Sequence, residues 1–106
     1  MSFLSRLLGL SPSSSASEIK EVLAGGALIV DVRTEREFSQ GHVTGALNIP
    51  VQVISGFIKD IKKHNKPVVL YCRSGARAGS AMSMLKNAGL EVYNAGGLGD
   101  IQQMMK

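Results

Sequence analysis

The sequence predicts an α/β protein, a parallel sheet covered by helices on both faces. Three observations predict it. Apolar runs of strand length alternate with segments of helical spacing through most of the chain. Two of those runs, Ala27 to Val32 and Val68 to Tyr71, lack the alternation of a half-solvated strand and read as strands buried on both faces. Both lead into polar or reactive residues, Asp31-Val32-Arg33 and Cys72-Arg73. Parallel sheets of this kind bind ligands at the carboxyl ends of their strands. Right-handed crossovers are expected between the strands.

Two parts are expected: an N-terminal amphipathic arm with a Ser-rich linker over residues 1–14, and one domain over residues 15–106. In the arm, Phe3, Leu4, Leu7 and Leu8 fall on one helical face. Its apolar part is too short to span a bilayer, and it lacks the leading charge and the length of a signal peptide. An arm packed on the domain is expected, with a peripheral membrane contact as the alternative. Ser15 with Glu18 reads as a capping box that opens a helix with Ile19, Val22 and Leu23 facing inward. Gly25-Gly26 ends it, and the first strand follows. Thr34 caps a short helix through Glu37 and Phe38, closed by Gly41. Ala46 to Ile49 is a brief strand, and Pro50 suits the first turn of a helix that stripes Val51, Ile54, Ile58 and Ile61. His64 to Pro67 turns into the central strand. After Cys72, a helix places Ala78, Ala81, Met82 and Leu85 on one face and stops at Gly89. Glu91 to Asn94 is the last strand, Gly96-Gly97 a turn, and Leu98 to Met105 a closing helix.

A chain of 106 residues is one domain with one core. With 44% apolar and 19% charged residues it reads as an ordinary globular protein. It has no tryptophan and few aromatics, which argues against a base-stacking nucleic-acid platform. The net charge is 12 − 8 = +4. No Lys/Arg run suggests a nucleic-acid arm, and Lys59, Lys62, Lys63 and Lys66 read as a solvated face. A positive field still draws in small anions. One cysteine makes neither an internal disulfide nor a zinc cluster. A free functional thiol fits a reducing compartment, so the cytoplasm is expected. The expectation is a monomer with no cofactor, no metal, no nucleic-acid partner and no integral membrane segment.

That cysteine is the focus of the chain. It closes a buried strand, and a short loop with one glycine and two arginines carries the chain into a helix. Backbone N–H groups and the helix dipole converge on negative charge at such a place. The thiolate is the nucleophilic form of cysteine. Arg73 and Arg77 add positive charge from the same loop. A cysteine that merely packs as a small hydrophobe needs neither the arginines nor the glycine. The pattern therefore points to a nucleophile acting on an anionic substrate.

Cys72-Arg73-Ser74-Gly75-Ala76-Arg77 resembles the active-site loop of rhodanese-type sulfurtransferases. Upstream, the block from Asp31-Val32-Arg33 through Glu37, Gly41-His42, Gly45-Ala46, Asn48 and Pro50 is similar to the other hallmark of that family. Asn94-Ala95-Gly96-Gly97-Leu98 resembles its closing Gly-Gly turn. The three blocks stand in family order, and the single-domain thiosulfate sulfurtransferases of the phage-shock-protein type are the nearest kind. The resemblance implies a rhodanese-like three-layer fold with a parallel sheet of about five strands. It implies that Cys72 is catalytic and that Arg73, Ser74, Gly75, Ala76 and Arg77 bind substrate. The expected donor is then thiosulfate, favoured over a mercaptopyruvate-type donor because two loop arginines suit a dianion. Its outer sulfur becomes a persulfide on Cys72, and the acceptor is cyanide or a thiol. The two arginines are expected to hold the sulfonate by charge-assisted hydrogen bonds, with loop N–H groups turned toward the persulfide.

Two rival readings share the loop. Related cell-cycle phosphatases use Cys-x5-Arg, whereas four residues separate Cys72 from Arg77 here. A phosphate has three peripheral oxygens to cradle and needs the larger ring, so a phosphatase or arsenate reductase is disfavoured. A persulfide carrier serving a protein acceptor would use the same chemistry, and an apolar patch near the cysteine would favour it. Asp31, Arg33 and Glu37 read as an ion-pair brace behind the loop, and Gly41-His42-Val43 as a structural turn. Tyr71 is expected to point away from the nucleophile, because strand side chains alternate. The methionines read as helical core filler rather than metal ligands. Where many family members place an aromatic after the Gly-Gly turn, this chain has Leu98-Gly99-Asp100-Ile101, which bears on the acceptor.

Overall fold

The computed structural model describes residues 15–106. The expected arm and linker of residues 1–14 lie outside the described residues. The elements run α1 (Ala16–Ala24), β1 (Leu28–Asp31), α2 (Glu35–Ser39), β2 (Leu47–Asn48), a 3-10 turn (Ile54–Phe57) leading into α3 (Ile58–Lys63), β3 (Val68–Cys72), α4 (Ala76–Asn87), β4 (Val92–Gly97) and α5 (Leu98–Met104). All strand pairs are parallel, in the order β2-β1-β3-β4. The sheet thus has four strands among the described residues, where about five were expected.

Local chemistry explains the element ends. Ser15 accepts a hydrogen bond from the Glu18 N–H at 3.2 Å and opens α1. Thr34 and Glu37 form a complete capping box on α2. Helix α4 closes on Gly89 at φ +90°, with the Leu90 N–H bonded to the Leu85 carbonyl and the Gly89 N–H to that of Lys86. This is a Schellman close, which a left-handed glycine permits. The segment after Pro50 differs from the single helix expected. A turn and a 3-10 stretch come first, and only Ile58–Lys63 is α-helical. Gly56 sits in the middle of it, a poor helix former. The stripe still holds, since Ile54 and Ile61 are buried and Val51 and Ile58 pack against the same core.

The sheet has an apolar cluster on each face. One gathers Val30, Val68, Leu70 and Cys72 under Ile54, Ile61, Ala78, Ala81 and Leu85. The other gathers Val69, Tyr71, Tyr93 and Ala95 under Ile19 and Ile101. Residues 68–72 of β3 are all buried. Successive side chains of β3 enter opposite clusters, so Tyr71 faces away from Cys72 as alternation requires. Both Cys72 and Asp31 stand at the carboxyl edge of the sheet. Strand β4 runs two residues past Ala95, and Gly97 pairs with Cys72 across an irregular register. The Gly96-Gly97 turn of the sequence is therefore the end of a strand.

Candidate active site

Cys72 ends β3, and its side chain turns back under the loop that follows. The Gly75 N–H donates to Sγ at 2.9 Å and the Ala78 N–H at 3.4 Å. The residue is 1% exposed, while Arg73, Ser74 and Ala76 stand exposed above it. Gly75 takes φ +103°, which lets the chain curl from strand to helix within three residues. Two N–H groups at the start of α4, those of Gly75 and Ala78, therefore meet the sulfur, as in an anion-binding nest. Ala78 belongs to this pair although the sequence marked only residues 73 to 77.

The loop is held from outside by β4. A Cβ on Gly97 would overlap the Arg73 carbonyl oxygen, and one on Gly75 would lie 3.4 Å from Gly96 Cα. Gly97 thus lets the two backbones touch, while Gly75 is needed for its positive φ. Asn94 locks the contact. Its Nδ2 donates to the Gly75 carbonyl at 3.0 Å and its Oδ1 accepts from the Gly96 N–H at 2.8 Å. The Gly97 N–H donates to Asp100 Oδ2 at 2.8 Å. The sequence reading gave Asn94 no role. Its signal was available: an Asn two residues before Gly-Gly suits a turn-like hydrogen bond to its own backbone.

Two ion pairs stand beside the loop. Arg33 donates to both oxygens of Asp31 at 2.6 to 3.0 Å, and also to the Gly41 carbonyl at 2.7 Å. Asp31 is fully buried, and its hydrogen bonds raise the Arg33 pKa further above its ordinary value. Arg77 forms a bidentate pair with Glu37, at 2.7 and 3.0 Å. Glu37 Oε1 also accepts from the Thr34 N–H and hydroxyl. Arg77, then the Thr34 N–H, hold the Glu37 carboxyl down at about 2. Of the expected brace, Glu37 reaches the cysteine loop through Arg77, an arginine expected to bind substrate, whereas Asp31 and Arg33 pair with each other and tie to Gly41. Arg73 has no carboxylate partner among the described residues.

Arg33, Glu37, Gln40, Gly41, Arg73, Leu98 and Gly99 line an open cavity of about 390 Å³ beside the loop. His42 is exposed and stacked on Phe38 at 3.6 Å, with Nδ1 2.7 Å from the Phe38 carbonyl oxygen, in keeping with a structural turn. Tyr71 Oη accepts from the Val43 N–H at 3.0 Å, and burial pushes its phenol up to about 12.

The family model described as the rhodanese-like domain matches residues 15–103. Among curated relatives, the thiosulfate sulfurtransferase PspE of Escherichia coli is 39% identical over 74 residues, covering 68% of this chain and 71% of that protein. The uncharacterized protein YqhL of Bacillus subtilis is 40% identical over 72 residues, which is 67% of this chain but only 56% of that protein's length. Among solved structures, the human single-domain sulfurtransferase TSTD1 superposes with a TM-score of 0.69 at 28% identity, covering 88% of this chain and 96% of that one.

Proposed function

The chain belongs to the rhodanese-like domain family, and from that membership we propose that it is a thiosulfate sulfurtransferase working through a Cys72 persulfide. The observation that carries the reading is the pair of N–H groups, from Gly75 and Ala78, that donate to Cys72 Sγ at the start of α4. Such a pair stabilises a sulfur anion, both the attacking thiolate and the persulfide formed from it.

The step balances without an oxidant. Cys72 Sγ attacks the outer sulfur of thiosulfate, the donor's S–S bond breaks, and sulfite leaves with the electron pair. The acceptor, cyanide or a thiol, then attacks the outer sulfur of the persulfide and releases the Cys72 thiolate. Cys72 is almost wholly covered, so a single sulfur atom suits it better than a phosphoryl group with three oxygens. In this reading the sulfonate lies in the cavity beside the loop, where Arg73 meets it, and Ser74, Gly75 and Ala76 form the loop backbone beside Cys72 Sγ. Arg77 acts mainly by bracing the loop through Glu37. Leu98 gives the cavity an apolar wall where an acceptor carbon chain would rest.

The test is intact-protein mass after brief exposure to thiosulfate. Wild type gains one sulfur atom, about 32 Da, and Cys72→Ser gains nothing. Hydrolysis of p-nitrophenyl phosphate without sulfur uptake would instead point to phosphatase chemistry. Sulfur uptake without turnover on cyanide or small thiols would point to a carrier that serves a protein acceptor. No helix among the described residues is long and apolar enough to cross a membrane. A cytoplasmic site of action remains part of this proposal.

A further inference from the structure

A site for anions has a carboxylate on its wall. Glu37 lines the same cavity as Arg73 and Arg33. Its side chain is 23% exposed and its charge is held by Arg77 and by the Thr34 N–H. Arg33 is neutralised by Asp31 and Arg77 by Glu37. Of the three arginines at the site, Arg73 alone has no carboxylate partner among the described residues. Glu37 lines the cavity while Arg77, its partner, does not, so the carboxylate is the member of the pair that the donor meets. Repulsive elements of this kind commonly set selectivity rather than affinity.

We propose that Glu37 is a selectivity-determining residue for the sulfur donor, pairing Arg77 so that the cavity presents one side-chain cation without a carboxylate partner among the described residues and its preference for doubly charged donors is held down. The proposal rests on the sulfurtransferase reading and concerns the same cavity. A thiosulfonate, R–SO2–S⁻, offers the same outer sulfur with one charge less than thiosulfate. Cys72 Sγ takes that sulfur from either donor, and sulfite or a sulfinate leaves with the bonding pair. Only the charge beside the arginines differs. Removing the Glu37 charge frees Arg77 and favours the dianion. Removing the Arg77 charge leaves Glu37 unpaired beside the donor and disfavours it.

The experiment compares kcat/KM for thiosulfate and for benzenethiosulfonate, with cyanide as acceptor and thiocyanate as the readout. Wild type, Glu37→Gln, Arg77→Gln and the double variant are measured. Glutamine keeps an oxygen for the Thr34 N–H and hydroxyl, so α2 stays capped while the charge that neutralises Arg77 is gone. The thiosulfate-to-thiosulfonate ratio should rise about tenfold in Glu37→Gln, fall by a similar factor in Arg77→Gln, and return near wild type in the double variant. A residue that only braces the loop would lower both donors together and leave the ratio within about twofold. That result, or both single variants moving the ratio the same way, overturns the proposal. Should Arg77→Gln not fold, the rise in Glu37→Gln and its reversal in the double variant decide the matter. Turnover of neither donor by the wild type overturns the sulfurtransferase reading itself, and this proposal with it.

Discussion

Gly97 has no side chain because the carbonyl of Arg73 occupies the place where one would be. Gly97→Ala must push the cysteine loop aside. A displacement near 1 Å is enough to cost about 100-fold in kcat/KM, and the overpacking should cost about 1–3 kcal/mol in a urea melt. A loss of activity with no loss of stability, or neither, would mean that the loop yields at no cost. Tyr71 shows a different economy at the same scale. Its hydroxyl satisfies the Val43 N–H, 28 residues upstream. Tyr71→Phe leaves that buried donor without its acceptor, and about 1–3 kcal/mol of stability should go with it. The phenol is also raised by burial to about 12. Wild type should therefore lose stability as pH climbs from about 10 to 12, and the Phe variant should lack that alkaline limb. The sequence showed that Tyr71 turns away from Cys72, because alternation is local. It did not show what the hydroxyl meets.

At the scale of elements, α2 is five residues long and has no buried residue, so packing does little to hold it. Its stability comes from the Thr34–Glu37 capping box and from the Arg77 pair. Thr34→Ala should cost about 0.5–2 kcal/mol. The acid side follows from the same carboxylate. Glu37 titrates near 4.5 in the unfolded chain and at about 2 when folded. A depressed carboxyl stabilises the fold above its unfolded value, and that contribution drains away as pH falls from about 4.5 toward 2. Urea midpoints measured across that window should fall for wild type and fall less for Glu37→Gln. Equal slopes would mean that the pair contributes nothing in solution. The capping box itself was legible, since Thr34 and Glu37 stand three residues apart. The Arg77 pair was not, because 40 residues separate its partners.

For the whole molecule, the sheet edge decides where chemistry occurs. The described strands point the same way, so Asp31 and Cys72 both come to the carboxyl edge, and β4 comes alongside to cover the loop. Helix α4 packs its Ala78, Ala81 and Leu85 under that sheet, so the N-terminus that serves the sulfur is anchored by core packing. Leu85→Ala should cost about 2–5 kcal/mol by opening a cavity there. The net charge of +4 acts at longer range. It should speed thiosulfate capture at low salt, so kcat/KM should fall as ionic strength rises, while kcat changes little. A flat salt profile would mean that the local charges of the loop screen the rest.

The sequence by itself determined the fold class, the strand that carries Cys72, the loop that feeds α4, and most caps. Each of these depends on residues within a few positions of one another, where periodicity, turn residues and helix ends are written directly. The resemblance in the loop depended on the same local spacing. Only the tertiary structure decided which charges meet. It paired Arg77 with Glu37, gave Arg73 no carboxylate among the described residues, tied Asn94 to the cysteine loop, and carried β4 through both glycines to lie against Arg73. Those contacts join segments some 20 to 40 residues apart. Their geometry is fixed by how the sheet closes, which no short window of sequence contains.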